Sequence, residues 1–144
     1  LGLVFHGDPL PFVDVPAKSY RQDAIVAFLQ RVGIGIFDTA SAVRRLQDKS
    51  SDKFLEVVTP TDVEALRARM PACRAIVTTG QKAADTLCER FGIVQPPMGG
   101  FTAFCLSGQS FRLYRMPSTS RAYPLALAKK AAAYRVMFED LGMV

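Results

Sequence analysis

The sequence has few of the residues that most often carry catalysis. It contains one histidine, no tryptophan and three cysteines, none of them in a C-x-x-C pair. Scattered cysteines favour neither a zinc site nor a disulfide framework. His6 has no G-x-S-x-G serine elbow to act on, which argues against a Ser-His-Asp hydrolase, and the phosphate-binding loop of an NTPase is missing. We therefore expect no metal ion and no cofactor.

Long apolar runs are also missing. No run approaches the ~20 residues that a membrane-spanning helix needs, so we expect a soluble, cytoplasmic protein without a membrane partner. Apolar residues still make up 49% of the 144 residues, which is typical of a chain that folds around a core. At this length we expect a single domain over 1–144, acting as a monomer.

Acidic side chains are absent from one long stretch. The chain from Arg90 to Phe138 holds no Asp or Glu but seven basic residues, namely Arg90, Arg112, Arg115, Arg121, Lys129, Lys130 and Arg135. In residues 1–89, eleven acidic side chains balance eleven basic ones. Basic residues release counterions from phosphates, so the stretch favours a nucleic acid or another polyphosphate as partner. An ordinary solvated basic surface is the alternative.

Hydrophobic spacing and capping signals predict helices that alternate with strands. The segments are an irregular lead-in (1–18), helices over 20–32, 61–70, 83–91 and 127–141, and strands over 34–37, 73–78, 101–106 and 111–116. The last two strands would form a hairpin, while 39–58 indicates no particular element. Alternating strands and helices predict a mainly parallel sheet that is covered on both faces.

Polar segments follow three of the predicted strands: Asp38-Thr39, Thr79-Gly80-Gln81 and Ser118 to Tyr123. Ligands of such folds bind beyond the carboxyl ends of the strands, so we expect these segments to converge. The three hydroxyls of Ser118-Thr119-Ser120, placed before a helix, would suit an anion, with simple helix capping as the alternative. Asp38 could contact a base, act as a general base, or cap the next segment.

Three stretches, taken together, resemble the uracil-DNA glycosylase superfamily, closest to its hypoxanthine-DNA glycosylase branch. The segment Pro117-Ser-Thr-Ser-Arg-Ala-Tyr123 is similar to its Pro-Ser-Thr-Ser-Pro-Ala-Asn motif. Residues 33–38 are similar to its Gly-Ile-Ala-Leu-Trp-Asp segment, and residues 76–83 to its strand and Gly-Lys-Lys-Ala turn. The order and spacing agree over most of the chain.

The resemblance implies a fold, an activity and a partner. The fold would be a three-layer αβα arrangement around a mainly parallel central sheet of four strands. The activity would be that of a DNA-repair glycosylase on a deaminated or damaged base, of uracil or hypoxanthine type. Its partner would be double-stranded DNA containing that base, which has to be flipped out before its N-glycosidic bond is hydrolysed.

The resemblance also implies roles for individual residues. Phe37 and Asp38 would form the base pocket. The DNA phosphates would be bound by Ser118, Thr119 and Ser120, to which the basic stretch adds Lys129 and Lys130. A wedge that enters the DNA helix at the vacated position would consist of Arg121, Ala122 and Tyr123.

Two departures from the superfamily affect the expected chemistry. Arg121 replaces the usual proline, and Tyr123 the usual asparagine. The motif whose asparagine or aspartate positions the attacking water is expected upstream of Leu1, together with the first strand, so no catalytic residue is assigned. The alternatives are a non-catalytic DNA- or nucleotide-binding protein that retains the glycosylase fold, and an α/β interaction domain with an incidental basic face.

Overall fold

The computed structural model describes residues 1–45 and 55–144, and these form two compact units. The first unit joins Leu1–Phe37 with Arg121–Val144, and the second is Asp38–Ser120. Residues 46–54 lie outside the described part, in the stretch for which the sequence indicates no particular element. The expectation of one domain over 1–144 stays a prediction.

Five helices and seven strands make up the described part of the chain. In order they are α1 (Gly2–His6), β1 (Val13–Asp14), β2 (Ser19–Tyr20), α2 (Gln22–Val32), β3 (Ala40–Arg45), β4 (Leu55–Pro60), α3 (Val63–Arg69), β5 (Ala75–Thr79), α4 (Gln81–Phe91), β6 (Phe101–Leu106), β7 (Gln109–Met116) and α5 (Leu127–Asp140). No helix in these ranges is both long enough and apolar enough to cross a membrane.

Aromatic rings form the centre of the first unit. The Phe5 ring of α1 packs edge-on against Phe28 of α2, with ring centroids 5.0 Å apart, and against Phe138 of α5, at 4.9 Å. Phe28 and Phe138 are buried, so these contacts hold the three helices together by removing apolar area from water. Arg135 adds a hydrogen bond of 3.2 Å from its Nη1 to the backbone oxygen of Val4.

The second unit is built on a three-stranded sheet in the order β5-β7-β6. β5 and β7 run parallel, with Thr79 opposite Met116 at their ends, whereas β6 pairs antiparallel with the other side of β7. β3 and β4 form a separate antiparallel pair. Side chains of α4 pack on one face of the sheet, and the buried core there consists of Leu87, Cys88, Phe104, Leu106, Phe111 and Leu113.

The predicted central sheet of four mainly parallel strands, and with it the three-layer αβα fold, is wrong. The structure is mixed α/β with sheets of two, two and three strands, and its largest sheet is mixed. The run 34–37 forms no strand, and Ile36 and Phe37 in it are 69% and 65% exposed. A run of four residues that includes Gly35 offers a neighbouring strand little side-chain area to pack against.

The direction of β6 has a local cause. Ser107 and Gly108 have φ values of 50° and 77°, and they form the two-residue turn that matches the right-handed twist of the flanking strands. The hairpin that the sequence predicts over 101–116 is therefore confirmed. Such a tight turn makes β6 antiparallel to β7, so only β5 and β7 are left as a parallel pair.

Most helix ends follow the sequence signals closely. α2 and α4 end at Gly33 and Gly92, which adopt the left-handed conformation with φ of 73° and 61°. α3 begins one residue later than the Thr61 box suggests, because the Asp62 carboxylate is the cap and accepts from the Ala65 N–H at 3.0 Å. Thr61 Oγ1 instead donates to the backbone oxygen of Asp38 at 2.6 Å.

Candidate nucleic-acid interface

The parallel pair β5–β7 places two of the predicted polar segments next to each other. The Gly80 N–H donates to the Met116 oxygen at 2.9 Å, which continues the ladder by one step. Beyond it Gly80 meets Ser118 so closely that a Cβ on Gly80 would lie 3.3 Å from the Ser118 Cβ. Gly80 also has φ of +99°, which L side chains rarely adopt. The turn after β5 and the Ser-Thr-Ser segment after β7 are therefore neighbours.

The amino-terminal end of α4 lies at this same point. α4 begins at Gln81, directly after Gly80, and its first turn contains no acidic residue but does contain the exposed Lys82. The first N–H groups of a helix have no intrahelical partner and carry a partial positive charge. Ser118 thus lies beside a helix start with positive potential.

Arg115 and Gln81 fix the start of α4 relative to β7. Arg115 donates from Nη2 to Gln81 Oε1, and from Nη1 to the Pro96 oxygen at 3.4 Å. Gln81 donates in turn to Asp85 Oδ1 at 2.6 Å, and Gln95 donates to the same oxygen. Sequence reasoning missed this use of Arg115, because Gln81 lies 34 residues away along the chain and no local pattern joins them.

The Ser-Thr-Ser segment does not cap a helix. α5 begins at Leu127 with Ala126 as its N-cap, and that N-cap position has no side-chain hydrogen bond. Ser118 Oγ instead accepts from the Ser120 N–H at 3.2 Å, within a segment that has no regular secondary structure. The capping interpretation is therefore wrong, whereas the predicted start of the last helix at Leu127 is confirmed. Thr119 and Ser120 are exposed.

The predicted wedge and lysines all belong to the first unit. Arg121 and Ala122 are exposed, and Tyr123 is half-buried. Lys129 is exposed, but Lys130 is only 6% exposed, and its Nζ lies over the Tyr123 ring, 5.4 Å from the centroid. The structure therefore brings Tyr123 and Lys130 together. Lys129 is exposed to solvent, whereas Lys130 packs against the Tyr123 ring.

The predicted base-pocket residues lie in an irregular segment. Residues 34–38 form neither helix nor strand, the Phe37 side chain is exposed, and so is Asp38. The backbone oxygen of Asp38 accepts from Thr61, and the Thr61 N–H donates to the Thr39 oxygen at 3.1 Å. These bonds tie Asp38 and Thr39 to the residues just before α3. The base-pocket role of Phe37 and Asp38 stays a prediction.

Several residues of the basic stretch already have partners within the fold. Arg90 donates to the Glu64 carboxylate at 2.8 Å and Arg135 to Glu139 at 3.2 Å. The Arg112 guanidinium lies 4.8 Å from the centroid of the Phe101 ring. Basic residues that are tied to carboxylates or rings contribute less to an anion-binding surface than their number suggests.

Cys88 is not a reactive thiolate, and the described ranges contain no cluster of metal-binding side chains. Burial raises the pKa of the Cys88 thiol and the nearby Asp85 carboxylate raises it further, against a smaller opposing effect of Arg115. Cys88 is therefore a protonated core residue and not a thiolate. Among residues 1–45 and 55–144, no group of three or more His, Cys, Asp or Glu side chains is arranged to hold a metal ion.

No protein-family model, curated protein or solved structure matches this chain. The likeness to the uracil-DNA glycosylase superfamily therefore depends on the three quoted stretches, and it stays a prediction.

The contact between Gly80 and Ser118 leads to a stability prediction. We expect Gly80→Ala to lower the free energy of unfolding by about 1–3 kcal/mol, because φ of 99° and ψ of 170° lie in a region that essentially only glycine adopts. Crowding at Ser118 should add to this loss. Gly92→Ala is the comparison, since Gly92 has the milder left-handed conformation and nothing within 4 Å of its Cβ position. Urea unfolding of both variants measures the difference.

A second substitution separates strain from crowding. Adding Ser118→Gly to the Gly80→Ala variant should recover part of the loss, whereas adding it to Gly92→Ala should not. Equal effects of Ser118→Gly in the two backgrounds would show that the two segments are not in contact.

Proposed function

We propose that this protein is a DNA-repair glycosylase, which flips a deaminated or damaged base of uracil or hypoxanthine type out of double-stranded DNA and hydrolyses its N-glycosidic bond. The observation that supports this most is the approach of Gly80 to Ser118. Gly80 and Ser118, which belong to two stretches that resemble separate motifs of one superfamily, come together at the carboxyl end of a parallel strand pair. Segments in such a position commonly bind ligands.

In this proposal the phosphates of the damaged strand bind at the start of α4. Ser118 lies next to it, the exposed Thr119 and Ser120 follow Ser118 in the chain, and Lys82 adds a positive charge. Unpaired helix N–H groups and hydroxyls together suit an anion. These contacts position the DNA without reading its sequence, so selectivity has to come from the base pocket.

The base pocket of the proposal uses Phe37 and Asp38. The exposed Phe37 ring offers a face on which a flipped base can stack. The Asp38 carboxylate is a hydrogen-bond acceptor, and deamination converts an acceptor ring nitrogen of cytosine or adenine into an N–H donor. A carboxylate at this point would therefore favour uracil and hypoxanthine over the bases from which they arise.

The wedge of the proposal is Arg121, Ala122 and Tyr123. Arg121 is exposed, whereas the Tyr123 ring is in contact with the Lys130 ammonium. A cation–π contact of this kind contributes about 0.5–2 kcal/mol, depending on its desolvation. Lys130 would therefore support the wedge, while Lys129 contacts DNA.

The activity itself is tested on duplexes that carry uracil, hypoxanthine or xanthine. Protein expressed from the complete gene should release at least one of these bases and leave an alkali-labile abasic site. Asp38→Ala should lower the rate about 100-fold or more, as expected for loss of a group that acts on the reacting base, with duplex affinity changed less than twofold. Asp23→Ala, which removes an exposed carboxylate of α2, is the control.

Two outcomes would count against this assignment. Absence of base release from all three duplexes, with duplex binding intact, would support the non-catalytic DNA-binding alternative. An Asp38→Ala variant with unchanged activity would remove Asp38 from the pocket.

The two lysines should respond differently to substitution. Because Lys129 is exposed, Lys129→Ala should reduce the slope of log affinity against log salt concentration by about 1. Because Lys130 is buried against Tyr123, Lys130→Ala should lower the thermal midpoint with little effect on that slope. Lys18→Ala, an exposed lysine outside the acid-free stretch, should change neither. Duplex binding from 50 to 300 mM salt tests this, and a slope unaffected by Lys129→Ala would exclude a phosphate contact.

The wedge role of Tyr123 is tested with DNA substrates in which the damaged base is paired and stacked to different degrees. Unstacking costs a few kcal/mol in a well-paired duplex and least at a mismatch or in a single strand. Tyr123→Ala should therefore slow base release about tenfold or more from a lesion in a well-paired duplex, and less from a mismatch or a single strand. Equal losses on all three substrates would show that Tyr123 is not a wedge.

A further inference from the structure

A concavity in the first unit has no part in the proposed glycosylase site. Its volume is about 410 Å³, within the range of ~300–1,000 Å³ that is usual for small-molecule sites. All its lining residues belong to one unit, and they are His6, Pro11, Phe12, Ala24, Ala27, Phe28 and Arg31. It is an open concavity on the surface and not an enclosed cavity.

Three aromatic rings form one side of the concavity. Phe12 and Phe28 have ring centroids 5.0 Å apart, and the His6 ring lies 5.5 Å from each of them. Phe28 is buried, Phe12 is partly exposed and His6 is exposed. Phe5 packs behind Phe28, so the cluster is anchored in the core. Such rings offer π-faces and edges to another planar aromatic group.

The lining is completed by one face of α2, the helix that carries Phe28. Ala24, Ala27, Phe28 and Arg31 follow one another at i, i+3, i+4 and i+7, which puts them on the same helix face. The two alanines project only methyl groups beside Phe28. A larger residue at either position would take up space in the concavity.

The charge at the rim is positive. Arg31 is exposed, and its Cζ lies 5.6 Å from the centroid of the Phe28 ring. None of the seven lining residues is acidic. A guanidinium presents several N–H donors that fit a phosphate better than a point charge does. The site therefore combines aromatic stacking with a donor for an anion.

We infer that this concavity binds a nucleotide, with the base against the rings of Phe12 and His6 and the phosphate on Arg31. A nucleotide joins a planar aromatic group to a negative charge, as the lining requires. Its source is either a free mononucleotide or one nucleotide of a single strand, which share this chemistry. The inference does not depend on the proposed glycosylase function, because it uses none of the residues assigned to that site.

The test compares thymidine 5′-monophosphate with its two halves. Titrated into the full chain and followed by amide chemical shifts, the monophosphate should bind at least about tenfold more tightly than thymidine or deoxyribose 5-phosphate. Arg31→Gln should lower the affinity for the monophosphate about tenfold and leave that for thymidine unchanged. Phe12→Leu should weaken both base-containing probes but not the sugar phosphate.

The controls keep each outcome decisive. Arg21→Gln, at an exposed arginine just before α2 and outside the concavity, should bind all probes as the parent does. If Phe12→Leu lowers the thermal midpoint strongly, its binding data are set aside. Arg31→Gln, at an exposed position, then tests the inference through its affinity for the monophosphate. Failure of the monophosphate to bind at millimolar concentration would overturn the inference. Equal binding of deoxyribose 5-phosphate, or unchanged affinity in Arg31→Gln, would do the same.

A last arm identifies the source of the nucleotide. A penta-thymidylate strand that binds more tightly than the monophosphate, and loses that affinity in Arg31→Gln, would assign the site to single strands. A strand that binds no better would assign it to free nucleotides.

Discussion

The parallel pairing of β5 with β7 is the constraint on which the candidate interface depends. Its register puts Thr79 opposite Met116, and the Thr78 hydroxyl, inside the sheet, donates to the Tyr114 oxygen at 2.9 Å. Parallel strands end at the same edge of a sheet, so the turn after one is brought to the turn after the other. A slip by one residue would turn every side chain of β5 to the opposite face, and it would separate Gly80 from Ser118.

The core of the second unit secures this pairing from one side. Ala84 is fully buried, and Leu87 and Cys88 of α4 pack with Phe111 and Leu113. Because side chains in a protein core interdigitate closely, these contacts leave the axis of α4 little freedom. Since α4 begins directly after Gly80, the same contacts that stabilise the unit also fix where the helix start lies. Stability and the geometry of the candidate interface are therefore linked through one helix.

The sequence predicts several elements of this chain but not their assembly, and it misses α1, in the predicted irregular lead-in, and the β3–β4 pair. α4, α5 and the β6–β7 hairpin were predictable because glycines, turn residues and apolar spacing act within a few residues. The four-stranded sheet was not, because it required the short run 34–37 to find a partner strand far away. At the interface, the three hydroxyls stand out in the sequence, but the contact of Ser118 with Gly80 at the start of α4 does not. That contact depends on strand order, which no local pattern encodes.

In the acid-free stretch from Arg90 to Phe138, the number of basic residues likewise does not show how many of them are available to bind an anion. Arg90, Arg115 and Arg135 donate to carboxylate, amide or backbone oxygens, and Lys130 is buried against a ring. Arg121 and Lys129, by contrast, are exposed to solvent. Long-range attraction of a polyanion depends on the summed field of all these charges, whereas short-range phosphate contacts need side chains that can leave their intramolecular partners. The stretch would therefore act mainly in steering DNA towards the protein, while binding itself would depend on few residues.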